Sequence, residues 1–207
     1  MEIITHPHPT LSSKSKAIQR INSELRDIVA EMFELMYAAK GVGLAANQVN
    51  LPLRLFVVNT SSDAEEGEEL VFINPVLSKG KGSEIEDEGC LSLPNVYGPV
   101  NRSRTIHVEA FGMQGNTISA DLDGLLARVV QHETDHLDGI MFLDRMNPLS
   151  LKALEADLQE FELEFTSRRQ GDIIESDEVI YAKLATWEDK FCTQSVWSPT
   201  RPFGNQL

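Results

Sequence analysis

The sequence predicts an α+β fold, in which a group of short strands lies between helices instead of alternating with them. Two kinds of periodicity support this prediction. Apolar residues recur at helical spacing at residues 22–40, at 125–137 and after Pro148, whereas apolar and polar residues alternate between 104 and 111. The 207 residues are 42% hydrophobic and 24% charged, which is typical of a globular protein.

The first half of the chain predicts one helix followed by two strands. The helix covers residues 22–40, where Asn22 or Ser23 can cap its start and Gly41 ends it. Residues 41–48 are too rich in glycine to predict a helix. Short segments rich in Val, Phe and Ile then predict strands at 53–59 and 69–74, separated by an acidic loop at 60–68.

The second half predicts a β-hairpin and two helices. Residues 104–111 and 116–122 form the predicted strands, and the glycines at 112 and 115 favour a tight turn between them. Helical periodicity returns at 125–137, and Gly139 lies just past its end. The helix after Pro148 has an apolar face made of Leu151, Leu154, Leu158, Phe161 and Phe165.

The C-terminal segment, residues 166–207, is predicted to be an extension with a loose end. Its periodicity fades, and Pro199, Pro202 and Gly204 interrupt it. Trp187 and Trp197 are expected to anchor it on the body of the protein, because large aromatic side chains bury much apolar surface.

The charge and the cysteine content exclude several classes of protein. A net charge of −14 argues against binding to nucleic acid or to an anionic membrane. Two cysteines are too few for a disulfide scaffold, and the first ten residues lack the basic and apolar regions of a signal peptide. No apolar stretch approaches the roughly 20 residues of a membrane span. We therefore expect a cytoplasmic protein.

The segment His132-Glu133-Thr134-Asp135-His136 is the strongest chemical signal. At about 100° per residue, a helix places His132 and His136 about 40° apart, so two imidazoles share one face with the carboxylate of Glu133 beside them. This pattern indicates a metal-assisted hydrolase, which needs metal ligands and a base that accepts a proton from water.

A catalytic metal needs a third protein ligand, and the residues alone leave it open. The position that would extend the motif as in metzincin proteases holds Phe142. Glu155 on the following helix would give a thermolysin-like site, and Cys90 would supply a thiolate. A lone cysteine is more often a small buried apolar residue than a ligand.

Three separated motifs resemble those of the peptide deformylase family. They are G-Φ-G-L-A-A-x-Q at Gly41–Gln48, where Φ is an apolar residue, E-G-C-L-S at Glu88–Ser92 and Q-H-E-x-D-H at Gln131–His136. The likeness covers roughly residues 1–165, which would be the catalytic domain, with 166–207 as an extension of unknown role. It implies antiparallel or mixed sheets around a central metal-binding helix, flanked by N- and C-terminal helices. It also implies metal ligation by Cys90, His132 and His136.

The resemblance further implies an activity and the residues that perform it. Members remove the N-formyl group from the initiator methionine of nascent polypeptides and release formate. Glu133 would be the general base, and the Gln48 side chain and the Leu91 backbone N–H would stabilise the developing oxyanion. The peptide would pair with the backbone at Val42 and Gly43 as an added strand. Its methionine side chain would fill a pocket near Val129.

The cofactor and partners also follow from the resemblance. One divalent metal ion per chain is expected, Fe(II) by the family pattern, with Zn(II) or Ni(II) able to occupy the same ligands. The helix after Pro148 is acidic where many bacterial members are basic, which argues against docking on ribosomal RNA through it. The alternative to an enzyme is a non-catalytic metal-binding relative that acts as an interaction module.

Overall fold

The computed structural model describes residues 1–193. Its strands are β1 (Gly43–Ala45), β2 (Leu55–Val58), β3 (Leu70–Lys81), β4 (Glu84–Cys90), β5 (Leu93–Arg102), β6 (Thr105–Phe111) and β7 (Thr117–Asp123). Its α-helices are α1 (Ser23–Ala38), α2 (Gly124–Leu137), α3 (Pro148–Ala153), α4 (Glu155–Gln170) and α5 (Asp177–Phe191). Short 3-10 helices cover Pro9–Ser12, Ala46–Val49 and Phe142–Arg145. This α+β composition confirms the predicted fold class.

The strands form two antiparallel sheets. A five-stranded sheet has the order β1-β2-β3-β6-β7, and in the described part of the chain β4 and β5 pair only with each other. Every strand pair in the described residues is antiparallel, and one isolated parallel bridge joins Lys16 to Leu53. Because β1 is the first strand in the order, one edge of it is not paired with another strand of residues 1–193.

Helix α1 forms where its periodicity predicts. The Asn22 side chain accepts a hydrogen bond from the Leu25 N–H at 2.9 Å, which caps the first turn. The helix ends at Ala38, and Lys40 has a φ of 55°, so the chain turns before Gly41. Its apolar face is buried against the five-stranded sheet at Leu25, Ile28, Val29, Met32, Phe33 and Met36.

Helix α2 lies between the two sheets. Its apolar residues Ala127, Val130 and Leu137 pack with side chains of the five-stranded sheet, among them Phe56 and Val108. Its polar residues instead reach the β4–β5 hairpin through hydrogen bonds. This placement explains why one short helix carries both a fully apolar face and several buried polar side chains.

The β4–β5 hairpin was missing from the sequence prediction. Strand β4 has the sequence Glu-Ile-Glu-Asp-Glu-Gly-Cys, and most of its side chains are exposed. Strand β5 contains two prolines and a glycine, which usually argue against a strand. Apolar burial is confined to Leu93, Val96 and Val100 on β5, so no clear alternation marks the pair.

The described part of the C-terminal region differs from the prediction that periodicity fades after residue 166. Helix α4 continues to Gln170, and α5 follows it, with Ser176 accepting a hydrogen bond from the Val179 N–H. The spacing of Ile180, Leu184, Trp187 and Phe191 is helical and was the signal for α5. Trp187 packs against the core as expected, whereas Trp197 and the rest of 194–207 lie outside the described residues.

The last residue of α5 attaches this helix to the body of the protein. Phe191 is fully buried in the cluster that contains the apolar face of α1, and its carbonyl accepts a hydrogen bond from the Gln19 N–H at 2.8 Å. Phe191→Ala should therefore lower the free energy of unfolding by about 3 kcal/mol, because it leaves a cavity in that cluster.

Chemical denaturation of the full chain measures this loss. Tyr181→Ala is the matched control, because Tyr181 lies on the same helix but is 49% exposed. A Phe191→Ala variant no less stable than the Tyr181→Ala variant would contradict the packing of α5.

Candidate metal centre and active site

Three potential metal ligands from two elements converge beside α2. Cys90 ends β4, and His132 and His136 lie one turn apart on α2. Their ligand atoms all lie within 4.8 Å of one another, and the Cys90 Sγ is 3.2 Å from the His136 Nε2. Both histidines are buried and the cysteine is half-buried. A thiolate and two imidazoles at this separation suit a divalent transition metal.

The local structure of the hairpin directs Cys90 toward the helix. The pairing register shifts between Gly89 and Cys90, where Cys90 pairs with Leu93 and a tight turn closes the hairpin. The Ser92 N–H and the Gln48 Nε2 each lie 3.4 Å from the Cys90 sulfur. Both donors point at the sulfur atom through which Cys90 would bind a metal.

A buried carboxylate orients the first histidine. The Nδ1 of His132 is 2.9 Å from Glu88 Oε2, so the Nε2 of His132 is left available to bind a metal together with Cys90. Burial would raise the pKa of Glu88, but hydrogen bonds from His132 and Arg102 outweigh it and hold that pKa well below its usual range. Burial lowers the pKa of His132, yet hydrogen bonds with Cys90 and Glu88 raise it to about 10.

Glu133 has an unpaired carboxylate oxygen in the interior. Its Oε2 is buried and has no hydrogen-bond partner among residues 1–193, although an unsatisfied buried oxygen costs free energy. Burial raises the pKa of Glu133 to about 7, and the charge of His132 opposes that rise. A Cβ on Gly43 would lie 2.5 Å from Glu133 Oε1, so only glycine allows β1 to approach this carboxylate.

Gln48 is buried beside the thiol, although a single amide in a sequence is more often at the surface. Its Oε1 accepts a hydrogen bond from the Ala45 N–H at 2.8 Å, and its Nε2 donates to Ser92 Oγ at 3.2 Å. The neighbouring Asn47 side chain donates to the carbonyl of His136. The segment 41–48, for which no helix was predicted, is thus β1 followed by a 3-10 helix.

These groups open onto one cleft of about 610 Å³. The predicted substrate contacts Val42, Gly43 and Val129 line it, as do Gln48, Leu91 and Glu133. Gly43, the first residue of β1, lines the cleft, and within residues 1–193 β1 has one edge that no strand pairs with. Every predicted site residue is therefore at or beside the cleft, except that His136 lies behind it as a fully buried side chain.

The structure removes one predicted alternative and adds residues that were not predicted. Glu155 is exposed at the start of α4 and does not belong to the cluster of potential ligands, so a thermolysin-like site has no support. Two buried arginines, Arg102 and Arg128, hold Glu88. The sequence gives a signal for Arg128 alone, which precedes His132 by one helical turn.

Comparisons with known proteins agree on one family. Residues 1–152 match the polypeptide deformylase family. A peptide deformylase of Rhodopirellula baltica is 46% identical over 188 residues, which cover 91% of this chain and 94% of that protein. Peptide deformylase 1B of Arabidopsis thaliana, named as chloroplastic/mitochondrial, is 36% identical over 169 residues, 81% of this chain and 62% of that protein. A crystal structure of a plant peptide deformylase superposes with a TM-score of 0.80 at 36% identity, and covers 81% of this chain and 92% of that one.

Proposed function

Because the chain belongs to the peptide deformylase family, whose members remove the formyl group from the N-formylmethionine of nascent peptides, we propose that this hydrolysis takes place in the cleft beside α2. The observation that carries the proposal is the convergence of Cys90, His132 and His136 next to the unpaired carboxylate of Glu133. In this proposal α2 is the metal-binding helix between the two sheets.

Peptide deformylases bind one divalent metal, and the residues of this chain fit one. Cys90, His132 and His136 would hold it, because they offer a thiolate and two imidazole nitrogens within 4.8 Å of one another. When bound, such a cation would act as a Lewis acid and lower the pKa of a water molecule to about 7.

Glu133 is the residue proposed to move the protons of the reaction. It accepts a proton from the water that attacks the formyl carbon, and it delivers that proton to the peptide nitrogen as the carbon–nitrogen bond breaks. Formate and a free amine are the products. The absence of a hydrogen-bond partner for Oε2 among residues 1–193 supports this role, because the lone pairs of that oxygen are free to accept.

Gln48 and Leu91 are proposed to stabilise the oxyanion that develops on the formyl group. The Gln48 Nε2 already lies beside Cys90 at 3.4 Å, held there by the hydrogen bond that its Oε1 accepts from Ala45. Leu91 directly follows Cys90 and lines the same cleft, so its backbone N–H is one peptide unit from the proposed ligand. Fixed donors of this kind need little reorganisation during the reaction.

The unpaired edge of β1 is proposed to bind the substrate peptide. Val42 and Gly43 line the cleft at the start of β1, and a peptide can add to such an edge as a further antiparallel strand. The methionine side chain would then contact Val129 and Leu91, which give the cleft its apolar wall.

Fe(II) is the proposed metal, in line with the family pattern, and its oxidation gives a test. Cys90 is half-buried and lines the open cleft, so oxygen can reach an iron–thiolate group there. Activity of the iron-loaded protein should fall several-fold faster in air than under argon. The zinc-loaded protein is the control and should lose activity equally in both; equal decay of the iron-loaded protein would count against iron.

The partners are proposed to be formylmethionyl nascent chains reached by diffusion. Helix α4 exposes Glu155, Asp157, Glu160 and Glu164, which would be repelled by ribosomal RNA. Within residues 1–193, no helix combines the length and apolar character that a membrane crossing requires. Both cysteines are free, which fits the reducing cytoplasm proposed as the location.

The catalytic domain is proposed to span residues 1–165, with 166–207 as the extension. All proposed ligands and substrate contacts lie before residue 165. Helix α5, in the extension, packs on α1 and the N-terminal segment through Phe191 and Trp187, so we propose that it serves as a structural brace.

Formate release from a short formylmethionyl peptide tests the proposed function. The anaerobically prepared, metal-loaded protein should release formate and a free N-terminus, and it should leave the internal peptide bonds intact. The acetylmethionyl analogue is the control for selectivity. A metal-loaded protein that released no formate would leave only the interaction-module alternative, which nothing in the structure favours.

A further inference from the structure

Arg128 is a buried arginine on α2, and the proposed reaction does not use it. It lies one helical turn before His132, and its side chain is only 9% exposed. A buried guanidinium is costly unless its donors are paired. The partners of Arg128 therefore indicate what the residue is for.

Those partners all belong to the β4–β5 hairpin. The Nε of Arg128 lies 2.8 Å from Glu86 Oε2, and its Nη1 lies 2.8 Å from Glu88 Oε1. Nη1 also donates to the Val100 carbonyl at 3.2 Å, and Nη2 donates to the Glu84 carbonyl at 3.0 Å. Since Val100 is on β5 and the other three are on β4, one side chain of α2 ties both strands to the helix.

Glu88 connects this tie to the metal ligands. Its Oε1 accepts from Arg128, and its Oε2 accepts from His132 one turn later. Arg102 also binds both oxygens, and its Nη1 pairs with Asp135 on α2, so it is a second tie to the helix, made from β5. Arg128 and His132 together fix the position of β4 along α2, and Cys90 is two residues further along that strand.

We propose that Arg128 is a positioning residue that holds the β4–β5 hairpin against α2, so that Cys90 meets His132 and His136 before a cation binds. The inference rests on the ligand set proposed above. Within residues 1–193 the hairpin pairs with no other strand, so without Arg128 part of its ordering would have to accompany metal binding. That cost would appear as weaker retention of the metal.

Release of zinc to a chromogenic chelator tests the proposal without measuring activity. Arg128→Met keeps the length and the apolar stem of the side chain but removes all four contacts. We expect it to release zinc about 10-fold faster or more than the parent. Arg128→Lys keeps the charge but cannot reach four acceptors, so its rate should lie between the two.

Arg54→Met is the matched control. Arg54 is also a largely buried arginine in an ion pair, with its Nη1 2.8 Å from Asp138 Oδ1, but it does not contact the hairpin. Its loss should reduce thermal stability and leave the rate of zinc release at the parent value.

The outcomes separate this inference from the proposed function. If the Arg128→Met variant retained zinc for as long as the parent, the positioning role would be overturned. If the Arg128→Met variant did not fold, zinc release by the Arg128→Lys variant at the parent rate would also overturn the positioning role. A parent that bound no zinc would overturn both the ligand set and this inference. A zinc-loaded parent with slow zinc release but no formate release would count only against the proposed function, and faster release by Arg128→Met would still support Arg128.

Discussion

Glu133→Gln should lower the rate of formate release by about 10³-fold while leaving the metal content of the protein unchanged. Glutamine has nearly the same shape as glutamate, but its amide cannot accept the proton of the attacking water. Glu133 is not one of the three proposed ligands, so metal retention should not depend on its charge. The loss should appear in kcat, because the cleft proposed to bind the peptide keeps its shape.

Steady-state kinetics on the metal-loaded variant measure this effect, with metal content determined on the same sample. Glu155→Gln is the matched control, because Glu155 is exposed on α4 and outside the ligand cluster. That variant should be as fast as the parent. Full activity in Glu133→Gln would remove the proposed base from the mechanism.

Cys90→Ala should abolish metal retention and, with it, formate release. Loss of a group outside the ligand set commonly weakens metal affinity 10- to 100-fold, so loss of a ligand should exceed about 100-fold. The two ligands that remain would both be imidazoles. The cation would therefore lose the thiolate, which is the one negatively charged ligand proposed.

Equilibrium dialysis with zinc, followed by elemental analysis, measures the retention of metal. Cys192→Ala is the matched control, since Cys192 is the other free cysteine and lies just after α5, next to the Lys16 carbonyl. This variant should keep its metal. One metal per chain in Cys90→Ala would contradict the proposed ligand set.

Much of the scaffold could be predicted because each element has its own periodicity. Helix α1, the β6–β7 hairpin and α2 bury one face of a regular pattern, so the pattern is visible without tertiary information. Strands β4 and β5 could not be predicted in this way, because most residues of β4 are exposed and its one large apolar side chain, Ile85, is among them. Helix α5 has a readable apolar spacing, and the prediction that periodicity fades after residue 166 was wrong.

The candidate site could be predicted as a set of residues but not as an arrangement. The histidine motif on α2 indicates a metal from spacing alone, whereas only the family resemblance favours Cys90 over Glu155 as the third ligand. The buried ion pairs around Glu88 could not be foreseen. Its partners Arg102 and Arg128 are 14 and 40 residues away in the chain, and no local pattern joins them. The burial of Gln48 could not be predicted either, because it depends on the β4–β5 hairpin, which the hydrophobic pattern does not reveal.

The central claim is that one cation held by Cys90, His132 and His136 makes this cleft active in deformylation. Anaerobic titration of the metal-free protein with Fe(II) tests it most directly. Formate release from a formylmethionyl peptide should rise in proportion to the iron added and stop rising at one iron per chain. Formate release by the metal-free protein, or its absence at one bound iron per chain, would contradict the account.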